Sequence, residues 1–431
     1  MRQRLRENAL CASLACAGCA LMAWLGLYGF AWNDYDNEVR PAYEALTRGH
    51  VGRFLALAPA YGGSLIERAP FALLPGLWGG GTLAVYRMVA LPCLLASALL
   101  GIWLVARMRA QDRPRRARAV ALGVCVANPI TLLAVEVGHP EEILGGCLCV
   151  AAVLLASHAS AGRDRSLLAG ALLGLAIANK EWALLAAGPV LLAVPPGRRV
   201  QCLACACVMA GAVLTPLLLS STSFVASSHA AATPGANPIF QPWQLWWFFG
   251  HHGAVVRGLF GARKPGYRVG PAWTGVVSHP LILVTGLVLT VALWLRGARR
   301  ERLPERTALL ALALLFLLRC LLDTWDTSYY LLPFLLALLA WELSGPSRNP
   351  PLLALAVSVL TWVSFEWVAL HASADVEAAV FLAWTLPLTA WLGLQLIAAG
   401  RAARDPRAAG DTRVLDHEQP VRGFGRLAGT S

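Results

Sequence analysis

The chain has 431 residues, 57% hydrophobic and 14% charged, with a formal net charge of +12. A soluble protein carries about 25% charged residues, and apolar runs of about 20 residues recur along this one, so a soluble globular protein is excluded. Nucleic-acid binding is excluded too, because the arginines gather in short stretches between apolar runs, where they set membrane orientation.

The basic Arg2, Arg4 and Arg6 place the N-terminus in the cytoplasm. The apolar run from Leu10 to Trp32 is too long for a cleaved signal h-region and reads as an uncleaved first span. It delivers Asn33, Asp34, Tyr35, Asp36, Asn37 and Glu38 to the outer face, three carboxylates within five residues. Charged groups cost roughly 2.5–3.5 kcal/mol each at a membrane-helix centre and less at its edge. Carboxylates gathered at that edge therefore point to a catalytic base or a metal site. The loop continues to Pro75 in a mixture of polar, aromatic and apolar residues, as a segment on the membrane surface would.

A second span, Thr82 to Val105, ends in Arg107, Arg109, Arg113, Arg115, Arg116 and Arg118, the strongest cytoplasmic marker in the chain. Ala119 to Val135 returns to an outer turn holding His139, Glu141 and Glu142, and Ile143 to Ser157 goes back to Arg163 and Arg165. Leu167 to Val194 is flanked by arginines at both ends, so it enters and leaves by one face. Asn179, Lys180 and Glu181 then sit at an outer turn between two short helices, or in a re-entrant hairpin, whose polar backbone is tolerated only inside protein or a wet cavity. Cys202 to Leu219 leads to a second large outer loop, Ser220 to His279, with His251, His252, Arg257, Arg263, Lys264 and Arg268. Trp243, Trp246 and Trp247 there suggest an interfacial helix. Spans at Leu281–Leu295, Thr307–Leu322, Tyr329–Trp341, Leu352–Leu370 and Val380–Ile397 follow, with Asp323, Asp326, His371 and Asp375 outside and the arginines from 296 to 306 inside.

The expected fold is all-α: one polytopic plasma-membrane domain over residues 1–400 with about 10 to 13 transmembrane helices. Its outer loops cover 33–81 and 220–279, both termini are cytoplasmic, and residues 401–431 form a polar, disordered cytoplasmic tail. The eleven cysteines lie in or beside apolar runs, so no disulfide framework is implied. Cys202, Cys205 and Cys207 have ligand-like spacing but read more simply as small packing residues.

Asp34-Tyr35, Ala45-Leu46 with Gly49, Pro59, Tyr61 and Ala69-Pro70-Phe71 together resemble the pattern of glycosyltransferase family 87. Gly138-His139-Pro140-Glu141 falls where that family has a polar, glycine-containing outer turn. Asn179-Lys180 through Leu184-Leu185 and Pro189 is similar to its Lys-x-x-x-Leu-Leu segment, so the resemblance spans roughly residues 30–340. It implies a C-type membrane glycosyltransferase. Such an enzyme takes a mannose-like hexose or a pentose from a polyprenyl-phosphate donor. It acts at the outer face on a hydroxyl of a glycolipid, polysaccharide or protein.

The residue types suit that chemistry. A carboxylate within hydrogen-bond reach can take the proton of the attacking hydroxyl; the family pattern makes Asp34 the candidate, with Asp36 second. Both also suit capping of a helix starting near Asn37. The leaving lipid phosphate needs cations at the membrane surface, for which Lys180 and Arg319 are placed, though Lys180 could simply pair with Glu142 or Glu181. His139, Glu141, Glu142, His251, His252, Asp326 and Tyr330 are the sugar and acceptor candidates, Tyr330 doubling as a possible belt residue beside Tyr329. The sequence points to no particular cofactor, while a divalent metal held by the 139–142 turn with Asp34 or Asp36 stays open. A multi-pass transporter or lipid flippase is the alternative; it would show internal repeats and midplane charges, which this chain does not.

Overall fold

The computed structural model describes residues 2–27, 34–158, 165–222, 224–226, 240–252, 267–299 and 301–402. The tail beyond 402, Asn33, Arg257, Arg263 and Lys264 lie outside the described residues. The regular elements of the described chain are helical apart from one short ribbon, in which β1 (His251–His252) pairs antiparallel with β2 (Arg268–Val269).

Helix α1 (Arg2–Leu27) precedes the first outer segment. That segment is one wide turn over Tyr35–Val39, then α2 (Arg40–Thr47), α3 (Val51–Ala56) and α4 (Gly62–Leu73). The bundle continues with α5 (Thr82–Ala110), α6 (Arg115–Val126), α7 (Pro129–Val137), α8 (Glu141–Ser157), α9 (Ser166–Asn179), α10 (Ala187–Ala193) and α11 (Arg199–Ser220). After the ribbon come α12 (Ala272–Leu293), α13 (Glu305–Leu322), α14 (Leu332–Leu343), α15 (Leu352–Trp362, prolonged to His371) and α16 (Ala374–Ala402).

Among the described residues, six helical stretches are long and apolar enough to cross a membrane: Thr82–Ala110, Arg115–Val137, Pro196–Ser220, Ala272–Ala298, Leu352–His371 and Ala374–Gly400. The bundle is completed by shorter apolar helices, Glu7–Met22, Ser166–Asn179, Glu181–Ala193 and Ser328–Leu343, and by α13. Two breaks have local causes. Between α6 and α7 the Asn128 side chain accepts from the amides of Ile130 and Thr131 at 2.9 Å each, with Pro129 as the first residue of the new helix. The span read from 119 to 135 is therefore one crossing made of two helices meeting at a cap. Lys180 is extended (φ −155°, ψ 138°) and separates α9 from a tight helical turn, Glu181–Ala186, that runs into α10.

Helices α13 and α14 are the centre of the bundle: every residue from Ala308 to Leu317 and from Leu331 to Trp341 is buried. The outer helices α11, α12 and α16 bury only 17–22% of their most apolar windows, leaving the rest for lipid. Lipid tails give no hydrophobic drive for helix pairing, so close backbone approach matters instead. Helix α9 does this with Gly170 and Gly174, whose faces meet the backbone carbonyls of Cys202 and Ala206 on α11. A Cβ on either glycine would lie 2.3–2.4 Å from those oxygens. Cys202 is a buried packing residue, as its apolar setting implies.

The Trp243–Trp247 segment is not an interfacial helix. The Gln244 side chain accepts from the amide of Trp246, and the backbone amides of Gln241 and Leu245 donate to Thr324 and Leu321 at 3.1 and 2.8 Å. The segment is thus stitched to the end of α13, with the Trp246 indole donating to the Leu322 carbonyl at 2.7 Å and Trp243 stacked on Phe365.

Charges sort the bundle ends. At one end the last turn of α5 meets the start of α13 through Arg107–Glu305 at 2.6 Å, and Glu305 also takes the Ser344 hydroxyl and lies 3.3 Å from His158. At the opposite ends of these helices lie Glu141, Glu142, Arg319 and Tyr329.

Candidate active site

The site is built on Gly138, which ends α7 in the left-handed region (φ +108°). That conformation suits only glycine at little cost. It also lets the chain at Tyr35 pass close, since a Cβ on Gly138 would sit 2.5 Å from the Tyr35 nitrogen. The Tyr35 ring stacks on Tyr86 of α5 at 4.2 Å, and the Tyr86 hydroxyl donates to the Val135 carbonyl on α7. These contacts bring Asp34 and His139, 105 positions apart, together: His139 Nε2 lies 3.2 Å from Asp34 Oδ2. Asp34 caps no backbone amide, and the helical turn begins at Tyr35 rather than near Asn37. A quarter of the Asp34 side chain stays exposed (25%), whereas His139 is buried.

Behind this pair lies a buried chain of charges. His139 Nδ1 is 2.7 Å from Glu141 Oε1. Glu141 also meets Lys180 Nζ at 3.3 Å and Arg68 Nη2 at 3.3 Å, and Lys180 donates to Glu142 at 2.9 Å. The Trp182 indole donates to Glu142 at 3.3 Å and the Asn179 amide to the Glu141 carbonyl at 2.9 Å. Arg68 is anchored on its own helix, donating to the Ser64 carbonyl and hydroxyl at 3.0 Å each. Partners of this quality are what make buried charge tolerable. Burial and Lys180 oppose a charge on His139, but the Glu141 carboxylate and the hydrogen bonds to Asp34 and Glu141 together outweigh them and raise the ring to about 9.

Aromatic rings close the space above the cations. Tyr329 stacks on His139 at 4.5 Å, and Tyr61 meets it edge-on at 5.5 Å while its hydroxyl donates to Glu38. Lys180 lies over Tyr61 at 4.8 Å and within 5.8 Å of Tyr329 and Tyr330. The Arg319 guanidinium sits over Tyr330 at 4.1 Å and Trp182 at 5.2 Å, and its Nη1 has no hydrogen-bond partner among the described residues. Asp326 is wholly buried near Arg319 and Cys320, and burial pushes its carboxyl well above the usual carboxylate range.

The structure thus gathers Asp34, His139, Glu141, Glu142, Lys180, Arg319, Tyr330 and Asp326 at one end of the bundle. Lys180 does pair with Glu142, the simpler role open to it, and with Glu141 besides. Asp36 instead pairs with Arg40 at 3.3 Å. His251 and His252 are exposed on the ribbon, where His252 lies 3.6 Å from Asp375; none of their contacts among the described residues reaches Asp34. No group of three His, Cys, Asp or Glu among the described residues is arranged to hold a metal ion. Sequence reasoning missed Arg68 and the stacking role of Tyr329. For Arg68 the signal was the Glu67-Arg68 step, two charges inside the otherwise apolar stretch from Leu65 to Pro75.

The family model of glycosyltransferase family 87 matches residues 63–322, more than half of the chain. The chain belongs to that family. The matched stretch holds Arg68, His139, Glu141, Glu142, Lys180 and Arg319 and begins after Asp34. This family 87 protein has an all-α polytopic fold. No curated protein matches it. Among solved structures it is similar to the cryo-EM structure of arabinosyltransferase EmbB from Mycobacterium smegmatis, at 14% identity and a TM-score of 0.33. That likeness covers 97% of this chain and 43% of the other, so the chain spans less than half of that structure's length.

Proposed function

We propose that the enzyme transfers a sugar, a mannose-like hexose or a pentose, from a polyprenyl-phosphate donor to an acceptor hydroxyl at the outer face of the plasma membrane, with Asp34 as general base. The observation that carries this reading is the pairing of an accessible carboxylate with an incompletely satisfied cation at the same end of the bundle. Asp34, Glu141 and Glu142 contact His139, Lys180 and Arg68, three negative groups against three basic ones. Arg319 stands beside this balanced set with its Nη1 unpartnered among the described residues. A lipid phosphate is the anion such a guanidinium recognises well.

In the proposed step the acceptor oxygen bonds to the anomeric carbon while its proton passes to Asp34. The bond from that carbon to the phosphate oxygen breaks, and its electron pair leaves with the phosphate. Arg319, with Lys180 behind it, stabilises the charge that develops there. Glu141 and Glu142 face the buried cations, so they support this arrangement from within, and Asp326, Tyr330 and the ribbon histidines His251 and His252 remain candidates for sugar or acceptor contact. The acceptor is a glycolipid, polysaccharide or protein.

The test is transfer by purified protein in lipid vesicles given radiolabelled polyprenyl-phosphate mannose and crude envelope extract. Wild type should label a product, and Asp34→Asn should lose about 10²–10⁴-fold of that rate, the usual worth of general-base catalysis, while still binding donor. Substantial turnover in Asp34→Asn would remove Asp34 as the base. Absence of both transfer and binding across a panel of lipid-phosphate sugars would remove the donor class.

A further inference from the structure

We propose that His139 is a positioning residue for Asp34: clamped by Glu141, its ring presents an N–H to Asp34 Oδ2 and turns the other carboxylate oxygen toward the acceptor. This rests on the reading of Asp34 as the base.

Innermost, Glu141 lies against Arg68 and Lys180, both at 3.3 Å, which hold it as a carboxylate that can only accept. The Nδ1 of His139, 2.7 Å away, must therefore carry a proton and donate to it. At Nε2 a bare lone pair would face the Asp34 carboxylate at 3.2 Å and be repelled, so a proton must lie between them, and imidazole, by nature the more basic of the two groups, holds it. His139 is then an imidazolium donating to two carboxylates. The groups facing it are consistent with that: Asp34 and Glu141 favour the charge, Lys180 opposes it, and Tyr61 and Tyr329 enclose the ring without adding charge. The ring has no freedom to turn away, being stacked on Tyr329 and fixed at both nitrogens.

The two residues then divide the work. During transfer the acceptor's proton goes to the free oxygen of Asp34 and from there to water, which the exposed part of Asp34 can reach. His139 keeps both of its protons throughout; it aims the base and carries no proton. Above about pH 9 the ring loses its outer proton, the contact with Asp34 becomes repulsive, and turnover falls.

Two measurements test this. In the transfer assay, His139→Ala should lower kcat by about 10–100-fold, the scale of one lost hydrogen bond to a charged group, with donor KM little changed. His139→Gln, which offers a non-titrating amide N–H at similar reach, should recover most of kcat and lose the alkaline fall. His139→Gln as impaired as His139→Ala, or an unchanged alkaline limb in His139→Gln, would overturn the proposal. Independently of activity, ring-¹⁵N histidine spectra of the full chain in nanodiscs should show one imidazolium persisting to about pH 9. Its signal is assigned by its absence from His139→Gln, and it should titrate lower in Asp34→Asn. An unshifted titration in Asp34→Asn overturns the contact even if transfer is seen. The expected shift in a protein that transfers nothing would instead sink the proposed reaction and leave the contact standing.

Discussion

Gly138 carries more of the site than any charged residue, because it fixes where Asp34 can be. An added methyl would cost roughly 1–2 kcal/mol in the left-handed conformation, and it would also press on the Tyr35 nitrogen from 2.5 Å. Gly138→Ala should therefore shift the Asp34 turn and lower turnover by more than tenfold while leaving donor binding intact, as a titration with labelled donor would show. His139 adds a pH signature to stability. Its proton is held more tightly in the folded state, about 9 against an ordinary 6.5, so its contribution is full below about pH 6.5 and is lost as pH rises through 9. Thermal unfolding should fall across that window in wild type and fall less in His139→Gln. Asp34, His139, Lys180 and Arg319 were legible from sequence because a charge at the end of an apolar run is costly to keep there without a role or a partner. Their partners were not: nothing in the local pattern of Arg68 says that it meets Glu141, 73 positions away, and Asp36, ranked second to Asp34, stays a candidate base until Arg40 is seen to pair with it.

At the scale of elements, the chain is assembled from helices that stop early. The breaks at Asn128 and Lys180 place polar groups at chosen depths, and the second was foreseeable because arginines on both sides of Leu167–Val194 forced a turn between them. The first was hidden, since an Asn-Pro step inside an apolar run also fits a kinked continuous helix. The seam between α9 and α11 gives a testable contrast. Gly174→Leu would drive its side chain into the Ala206 carbonyl, 2.4 Å from the first added carbon, and should destabilise the protein by about 1–3 kcal/mol. Gly211→Leu on α11, where an added carbon meets nothing within 4 Å, should be neutral or mildly stabilising. Unfolding midpoints in one lipid composition would compare them.

The whole molecule is polarised along the helix axes, with Arg107, Glu305 and Arg113 at one end and the Asp34–Arg319 cluster at the other. The sequence announced this sidedness through its arginine-rich turns; the packing of α13 and α14 at the centre was beyond it, because uniformly apolar helices carry no mark of which neighbour they will meet. If the arginine end is cytoplasmic, a cysteine replacing Ser373 in intact cells should react with a membrane-impermeant maleimide and one replacing Ser347 should react only after permeabilisation. Both positions are exposed.

The buried charge chain also has a consequence for biosynthesis. Glu141, Glu142 and Lys180 lie at the facing ends of α8 and α9, consecutive helices, so they can neutralise one another as that hairpin leaves the translocon. Arg68, made earlier on α4, can lock onto Glu141 only after the hairpin is in place. The first outer segment therefore docks last of these three, so Asp34, the proposed base, is set in position only once the ends of α8 and α9 have been paired.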